Sequence, residues 1–159
     1  MSDHPHERSH GWCSLRLRFE ARDLVLLRGA EHVRGTALAH APRPGPTGLR
    51  SALTLAKAGH KLGAAAPGQS ITLDEQEVAL LVEALKFATT EVQWASRQGA
   101  QADPEVRVGT RPPSDDAPAR RQAVLDAFPE LVERGLWRGF GLSRELESLG
   151  HRLEKALTS

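Results

Sequence analysis

Three arginines near the start of the chain have the type and spacing to bind a ligand. Apolar side chains at 15, 17, 19 and 21 alternate with polar ones that include Arg16, Arg18 and Arg22. A period of two is typical of a half-buried strand, so these arginines are expected on its solvent-facing side. Guanidinium groups pair well with phosphate oxygens, and each neutralised phosphate adds salt-dependent affinity. The pattern predicts a face that grips a phosphate backbone.

The predicted nucleic-acid interface extends to two further arginines. It consists of Arg16, Arg18, Arg22, Arg28 and Arg34, with Arg43, Arg50, Lys57 and Lys61 nearby in sequence. Trp12 is the one aromatic residue expected near the exposed side of the strand, whereas proteins that bind single strands stack bases on several. There is also no recognition-helix motif. We therefore expect DNA binding to be independent of base sequence.

The charge of the chain is divided unevenly along its length. Residues 1–70 carry a net charge of +5 and residues 71–159 a net charge of −4, which gives the overall +1. Such a division indicates how a chain meets partners rather than which reaction it catalyses. Four interpretations stay open for the basic half: contact with a polyanion, contact with another copy of the chain, an ordinary solvated face, or pairing with the acidic helices of the same chain.

Histidines and one cysteine near the N-terminus are the only pattern that suggests a metal. The residues are His4, His6, His10 and Cys13, but their spacing matches no standard zinc finger. We expect no metal site and no cofactor. A thiol enzyme would pair Cys13 with a histidine, the remaining ones being His32, His40, His60 and His151. A lone cysteine with scattered histidines is a weak signal, and a small apolar residue beside a strand explains Cys13 better.

No other motif indicates catalysis. Carboxylates cluster at residues 74–77, 115–116 and 130–133, but the first group fits helix capping and the others fall on solvated segments. Glycine-rich stretches at 45–48 and 139–141 precede expected helices without the spacing of a phosphate loop. Catalytic residues are therefore not identifiable. A small cytoplasmic enzyme remains the alternative to a binding module.

The first half is expected to form a β-meander over about residues 13–39. Its strands are the arginine strand, the apolar run Leu24 to Leu27, and Val33 to Leu38. A Pro-rich loop at 41–48 follows, because prolines exclude a helix or a central strand there. A helix from Leu49 to Leu62 is predicted next, capped by Thr47 and ended by Gly63.

A long helix over residues 73–97 is predicted to organise the core. Thr72 and Glu75 have the spacing of a capping box, and a wide apolar stripe follows them. After a mobile loop at 98–117, a helix is expected to break at Pro129 and restart at 130–134. Ser143 is expected to cap the last helix.

The last helix carries a short, mainly leucine seam at 4-3-4-3 spacing. Its members are Leu142, Leu146, Leu149, Leu153 and Ala156 or Leu157. Two heptads are too few to be stable alone, so the seam must pack on the domain or on a second subunit. We predict a homodimer through this seam.

Together these patterns predict a single α+β domain over residues 12–159, preceded by a flexible tail at 1–11. The expected function is a non-enzymatic binding or assembly module that self-associates, with nucleic acid as its candidate ligand. No apolar run approaches the roughly 20 residues of a membrane span, so no membrane contact is expected. The lone cysteine and the polar N-terminus favour the cytoplasm.

Overall fold

The computed structural model describes residues 14–40, 45–100, 117–135 and 138–158, with the side chains of 98–100 left out. Its elements in chain order are β1 (Ser14–Arg18), α1 (Ala21–Ala39), α2 (Pro46–Ala64), β2 (Ser70–Asp74), α3 (Glu75–Ala100), α4 (Ala117–Ala127), α5 (Glu130–Arg134) and α6 (Gly139–Thr158). The predicted tail and most of the predicted loop at 98–117 lie outside the described residues.

The sheet is a two-stranded antiparallel ribbon of β1 and β2. Leu15 lies opposite Leu73 and Leu17 opposite Ile71, and these apolar side chains pack on the helical core. Most of the described chain is helical. The predicted α+β class is therefore confirmed, with an N-terminal strand, a long central helix and C-terminal helices.

The predicted second and third strands of the meander are wrong. Residues 21–39 form helix α1 instead. Its buried apolar side chains are Leu24, Leu26, Leu27, Ala30 and Val33, which spread over about half of the helix circumference because α1 packs on several neighbouring helices. The partner of β1 is β2, which follows α2 and contains Thr72, the residue expected to cap the long helix.

Helix α3 is the centre of the core, as predicted. Its stripe through Leu81, Leu85 and Val92 is fully buried. The helix begins later than expected, because Thr72 belongs to β2 and the cap is Asp74. The backbone N–H of Glu77 donates to Asp74 Oδ1 at 2.7 Å, and that of Asp74 donates to Glu77 Oε1 at 2.9 Å, so the capping box is Asp74–Glu77.

The leucine seam of α6 packs on α3 of the same chain. The two helices run antiparallel: a Cβ at Gly139 would touch Ser96, and one at Gly150 would lie 3.8 Å from Leu85 Cβ. Leu142, Leu146, Leu149 and Leu153 are buried as a result. Helix α6 also begins at Gly139, so Ser143 lies inside the helix rather than at its cap.

Helices α1 and α2 form an antiparallel hairpin against the core. Helix α2 starts at Pro46, earlier than expected, because proline fits the first turn of a helix. The break at Pro129 between α4 and α5 is confirmed. None of the described helices combines the length and apolar character that crossing a membrane requires.

Candidate nucleic-acid interface

Arg16 and Arg18 lie side by side on the solvent-facing side of the ribbon. In the antiparallel register Arg16 is opposite Thr72 and Arg18 is opposite Ser70. Arg18 Nε donates a hydrogen bond to Ser70 Oγ at 3.0 Å, and both arginines are exposed. Neither forms an ion pair within the described part of the chain. We call Arg16, Arg18, Ser70 and Thr72 the ribbon face.

Arg22 does not share this face. It lies in the first turn of α1, and its guanidinium is held by two carboxylates from the C-terminal half. Both Nε and Nη2 donate to Glu145 at 2.8 Å, and Nη1 donates to Glu130 at 2.8 Å. These bonds raise the pKa of Arg22, while the bond from Arg22 lowers the pKa of Glu145.

Arg28 and Arg34 point in other directions from α1. Positions six residues apart are rotated by about 240° around a helix, so Arg22, Arg28 and Arg34 diverge. Arg28 Nη2 donates to the carbonyls of Leu62 at 2.8 Å and Ala65 at 3.1 Å, which satisfies the end of α2.

Arg34 is likewise engaged within the fold. Its Nη2 donates to Glu83 at 2.9 Å on α3, and its guanidinium carbon lies 4.8 Å from the ring centroid of Phe87. The structure therefore brings together two of the five predicted interface residues, Arg16 and Arg18, and gives the other three partners inside the molecule.

Part of the charge division is neutralised inside the chain. Arg22 and Arg34 pair with C-terminal glutamates, and Lys61 Nζ lies 2.7 Å from the buried Glu77. For Arg22, Arg34 and Lys61, this supports the interpretation that the basic half pairs with the acidic helices of the same chain. Arg50 and Lys57 are exposed on α2, and Arg43 lies outside the described residues.

An open groove of about 550 Å³ surrounds Arg22 and was not predicted from the sequence. It is lined by Arg22, Val25, Pro129, Glu130, Glu133, Arg134, Arg138, Gly141, Leu142 and Glu145. Glu130 and Glu133 stood out only as solvated carboxylates, because their neighbour Arg22 comes from a distant part of the chain.

The groove is poorly suited to acid–base catalysis through Glu145. A general acid or base works best with a pKa near the operating pH, whereas Arg22 lowers the pKa of Glu145 below its ordinary acidic value. Its carboxylate is also held at both oxygens by Arg22. The arrangement acts as a bridge between α1, α5 and α6.

The other predicted chemical groups do not converge. Cys13 and the N-terminal histidines lie outside the described residues, as does Trp12. His32, His40, His60 and His151 are exposed, and no group of three or more potential metal ligands occurs among the described residues. The glycines at 139 and 141 belong to the first turn of α6 rather than to a loop before it.

Comparison with protein families, with curated proteins and with solved structures gives no match to this chain.

Proposed function

We propose that this chain is a non-enzymatic binding module that contacts the phosphate backbone of nucleic acid through the ribbon face. The support is the pair Arg16 and Arg18, exposed on adjacent outward positions of one strand and without carboxylate partners in the described chain. Arginines that already pair with glutamate must break that pair to bind phosphate. Arg16 and Arg18 carry no such cost.

The ribbon has a shape that nucleic acid accepts. The major groove of DNA is about 12 Å wide and admits a two-stranded β-ribbon. The hydroxyls of Ser70 and Thr72 stand across the ladder from Arg18 and Arg16 and add hydrogen-bond donors for phosphate oxygens. These small groups and two arginines favour backbone contact rather than base reading.

A binding titration on matched charge variants tests this proposal. Fluorescence polarisation of a labelled DNA duplex and a labelled single strand is measured at low salt for wild type, Arg16→Ala/Arg18→Ala and Arg97→Ala/Arg144→Ala. The control pair removes the same charge from two exposed positions. Both lie in the half of the α3–α6 pair that is far from the ribbon. Arg97 lies 22 positions along α3 from its start, or roughly 33 Å.

We expect the ribbon variant to lose at least about tenfold in affinity and the control variant to lose much less. Absence of wild-type binding to either DNA at low salt would refute the nucleic-acid function. Equal losses in both variants would refute the ribbon face as its location.

The absence of a disulfide partner for Cys13 favours a cytoplasmic setting for this activity.

We also propose that the chain self-associates, through a surface other than the leucine seam of α6. The leucine seam no longer supports it, but Val132 is 65% exposed and Phe140 is 50% exposed. They directly precede Glu133 and Gly141, which line the groove at Arg22. Beside the internal ion pairs of Arg22, the groove presents the exposed Glu133 and Arg134, and a surface with both signs can complement a second copy of itself.

Light scattering at micromolar concentrations tests the dimer. We expect twice the 17.3 kDa chain mass for wild type and a monomer for Val132→Ser/Phe140→Ser. Leu53→Ser removes a comparable exposed side chain from α2 and is expected to leave the dimer intact. A wild-type mass of 17.3 kDa would contradict self-association.

A further inference from the structure

The excess positive charge of the basic half lies in one hairpin rather than on the ribbon. Residues 1–31 hold five Lys/Arg and five Asp/Glu, so their net charge is zero. Residues 32–73 hold five Lys/Arg and no acidic residue over 42 positions. The whole +5 of the basic half therefore belongs to the end of α1, helix α2 and their flanking segments.

The distal part of this hairpin is only shallowly packed. No described residue of α1 after Val33 is fully buried, and none of α2 before Leu55 is. Leu53 is 73% exposed and Leu49 is 54% exposed. They are four positions apart and so lie on the same face of the helix.

Basic side chains lie beside these leucines, both on the same side of the pair. Arg50 and Lys57 are exposed and lie about 60 to 80° around the helix from the midpoint of Leu49 and Leu53. Neither forms an ion pair within the described part of the chain. We call Leu49, Arg50, Leu53 and Lys57 the α2 face.

The positive charge of the α2 face favours one kind of partner over the others. A second copy related by a two-fold axis would set this acid-free face against itself and bring like charges together, which is unfavourable. A phosphate backbone would pair with Arg50 and Lys57 but would leave both leucines in water. A helix with its own apolar stripe and acidic flanks satisfies both kinds of group.

We propose that the α2 face is a docking site for an acidic amphipathic helix of a protein partner. Two leucines provide apolar anchors at the i and i+4 positions. Arg50 and Lys57 pair with glutamates or aspartates beside the partner's stripe, which gives orientation and a faster association. This surface is separate from the ribbon face and does not depend on nucleic-acid binding.

Two labelled helical peptides test the docking site on the full chain. One presents leucines at i and i+4 with glutamates on both flanks, and the other has lysines in place of the glutamates. Fluorescence polarisation is measured for wild type, Leu53→Ser, Arg50→Glu/Lys57→Glu and the control Val132→Ser, which changes an exposed apolar residue elsewhere. Thermal unfolding of each variant verifies that the exposed substitutions leave the fold intact.

We expect wild type and Val132→Ser to bind the acidic peptide and not the basic one. Leu53→Ser should weaken this binding by about tenfold or more, since one anchor is lost. Arg50→Glu/Lys57→Glu should reverse the preference toward the basic peptide. That reversal identifies charge pairing, because a merely damaged surface would bind neither peptide.

Three results would overturn the proposal. The first is no binding of the acidic peptide by wild type, or equal binding of both peptides. The second is self-association of wild type that Leu53→Ser abolishes, which would assign the face to a second copy. The third is oligonucleotide binding that Arg50→Glu/Lys57→Glu abolishes and Leu53→Ser leaves unchanged, which would assign it to nucleic acid.

Discussion

Some acidic side chains inside this fold form an ion pair with an arginine, and one does not. Asp23 is buried beside Arg152 at 2.6 Å, and Glu91 is buried beside Arg120 at 2.6 Å. Glu31 is partly buried where α1 crosses α2 at Gly59, and it has no ion pair within the described residues. Burial raises the pKa of Glu31, so the fold disfavours its ionised form.

We therefore predict that Glu31→Gln stabilises the protein at neutral pH. A pKa that is higher in the folded state than in the unfolded state gives stability that is present at low pH and lost as the pH rises through the folded value. Glutamine removes that loss. Urea titrations at pH 4.5 and 7 should show a gain for Glu31→Gln at pH 7 that shrinks at pH 4.5.

Glu133→Gln is the matched control, because Glu133 is exposed on α5. It should change the free energy of unfolding little at either pH. If Glu31→Gln lowered stability at pH 7, the carboxylate would have a stabilising partner and the account of its burial would be wrong.

Two glycines in the first turn of α6 have opposite surroundings. A Cβ at Gly139 would collide with Ser96 Oγ and lie 3.1 Å from Val92 Cγ1, whereas a Cβ at Gly141 meets nothing within 4 Å. Gly139→Ala should thus destabilise the protein by about 1–3 kcal/mol through overpacking. Gly141→Ala should be neutral or stabilise it by up to about 1 kcal/mol, because alanine favours the helix. Thermal and urea unfolding of both variants measure this difference. A loss of stability for Gly139→Ala alone indicates close contact between α6 and α3, whereas equal losses would indicate that this turn needs glycine at both positions.

At the scale of elements, α3 supplies the surface on which the other helices pack. Leu85 on its central stripe is fully buried, while Leu53 on α2 is exposed. Leu85→Ala should cost about 2–5 kcal/mol through lost burial and a cavity. Leu53→Ala should change stability by less than about 0.5 kcal/mol. A denaturant titration in which both substitutions cost the same would contradict the assignment of the core.

The sequence predicted elements whose signal is local. Helix α3, the break at Pro129 and strand β1 each follow from periodicity, a capping pattern or a proline within a few positions. Helix α1 was misread because the short apolar run Leu24 to Leu27 fits a buried strand as well as a helix. Strand β2 was missed because its partner lies more than 50 positions away, and no local pattern encodes that pairing.

The part of the candidate interface that depends on local sequence was predictable, and the part that depends on distant residues was not. Alternation placed Arg16 and Arg18 correctly on an outward strand face. Arg22 left that face because α1 begins just before it, and its partners Glu130 and Glu145 are more than 100 positions away. Pairing of that kind depends on the tertiary fold, so residue type alone does not distinguish a neutralised arginine from one available to a ligand.

At the scale of the whole molecule, part of the charge division is neutralised by ion pairs within the fold, and part stays on the surface. Ion pairs from Arg22, Arg34 and Lys61 join the basic half to the acidic half. Arg16 and Arg18 on the ribbon, and Arg50 and Lys57 on α2, lie outside those pairs. Within the described residues, these side chains form two basic surfaces, the ribbon face without exposed leucines and the α2 face with them.

The salt dependence of DNA binding tests the central claim, that the ribbon face neutralises phosphates, most directly. Affinity for one DNA duplex is measured at several salt concentrations for wild type, Arg16→Ala/Arg18→Ala and Arg97→Ala/Arg144→Ala. Each lost phosphate contact makes the slope of log affinity against log salt shallower by about 1. We predict a slope shallower by about 2 for the ribbon variant and an unchanged slope for the control. A ribbon variant with the wild-type slope would contradict the account.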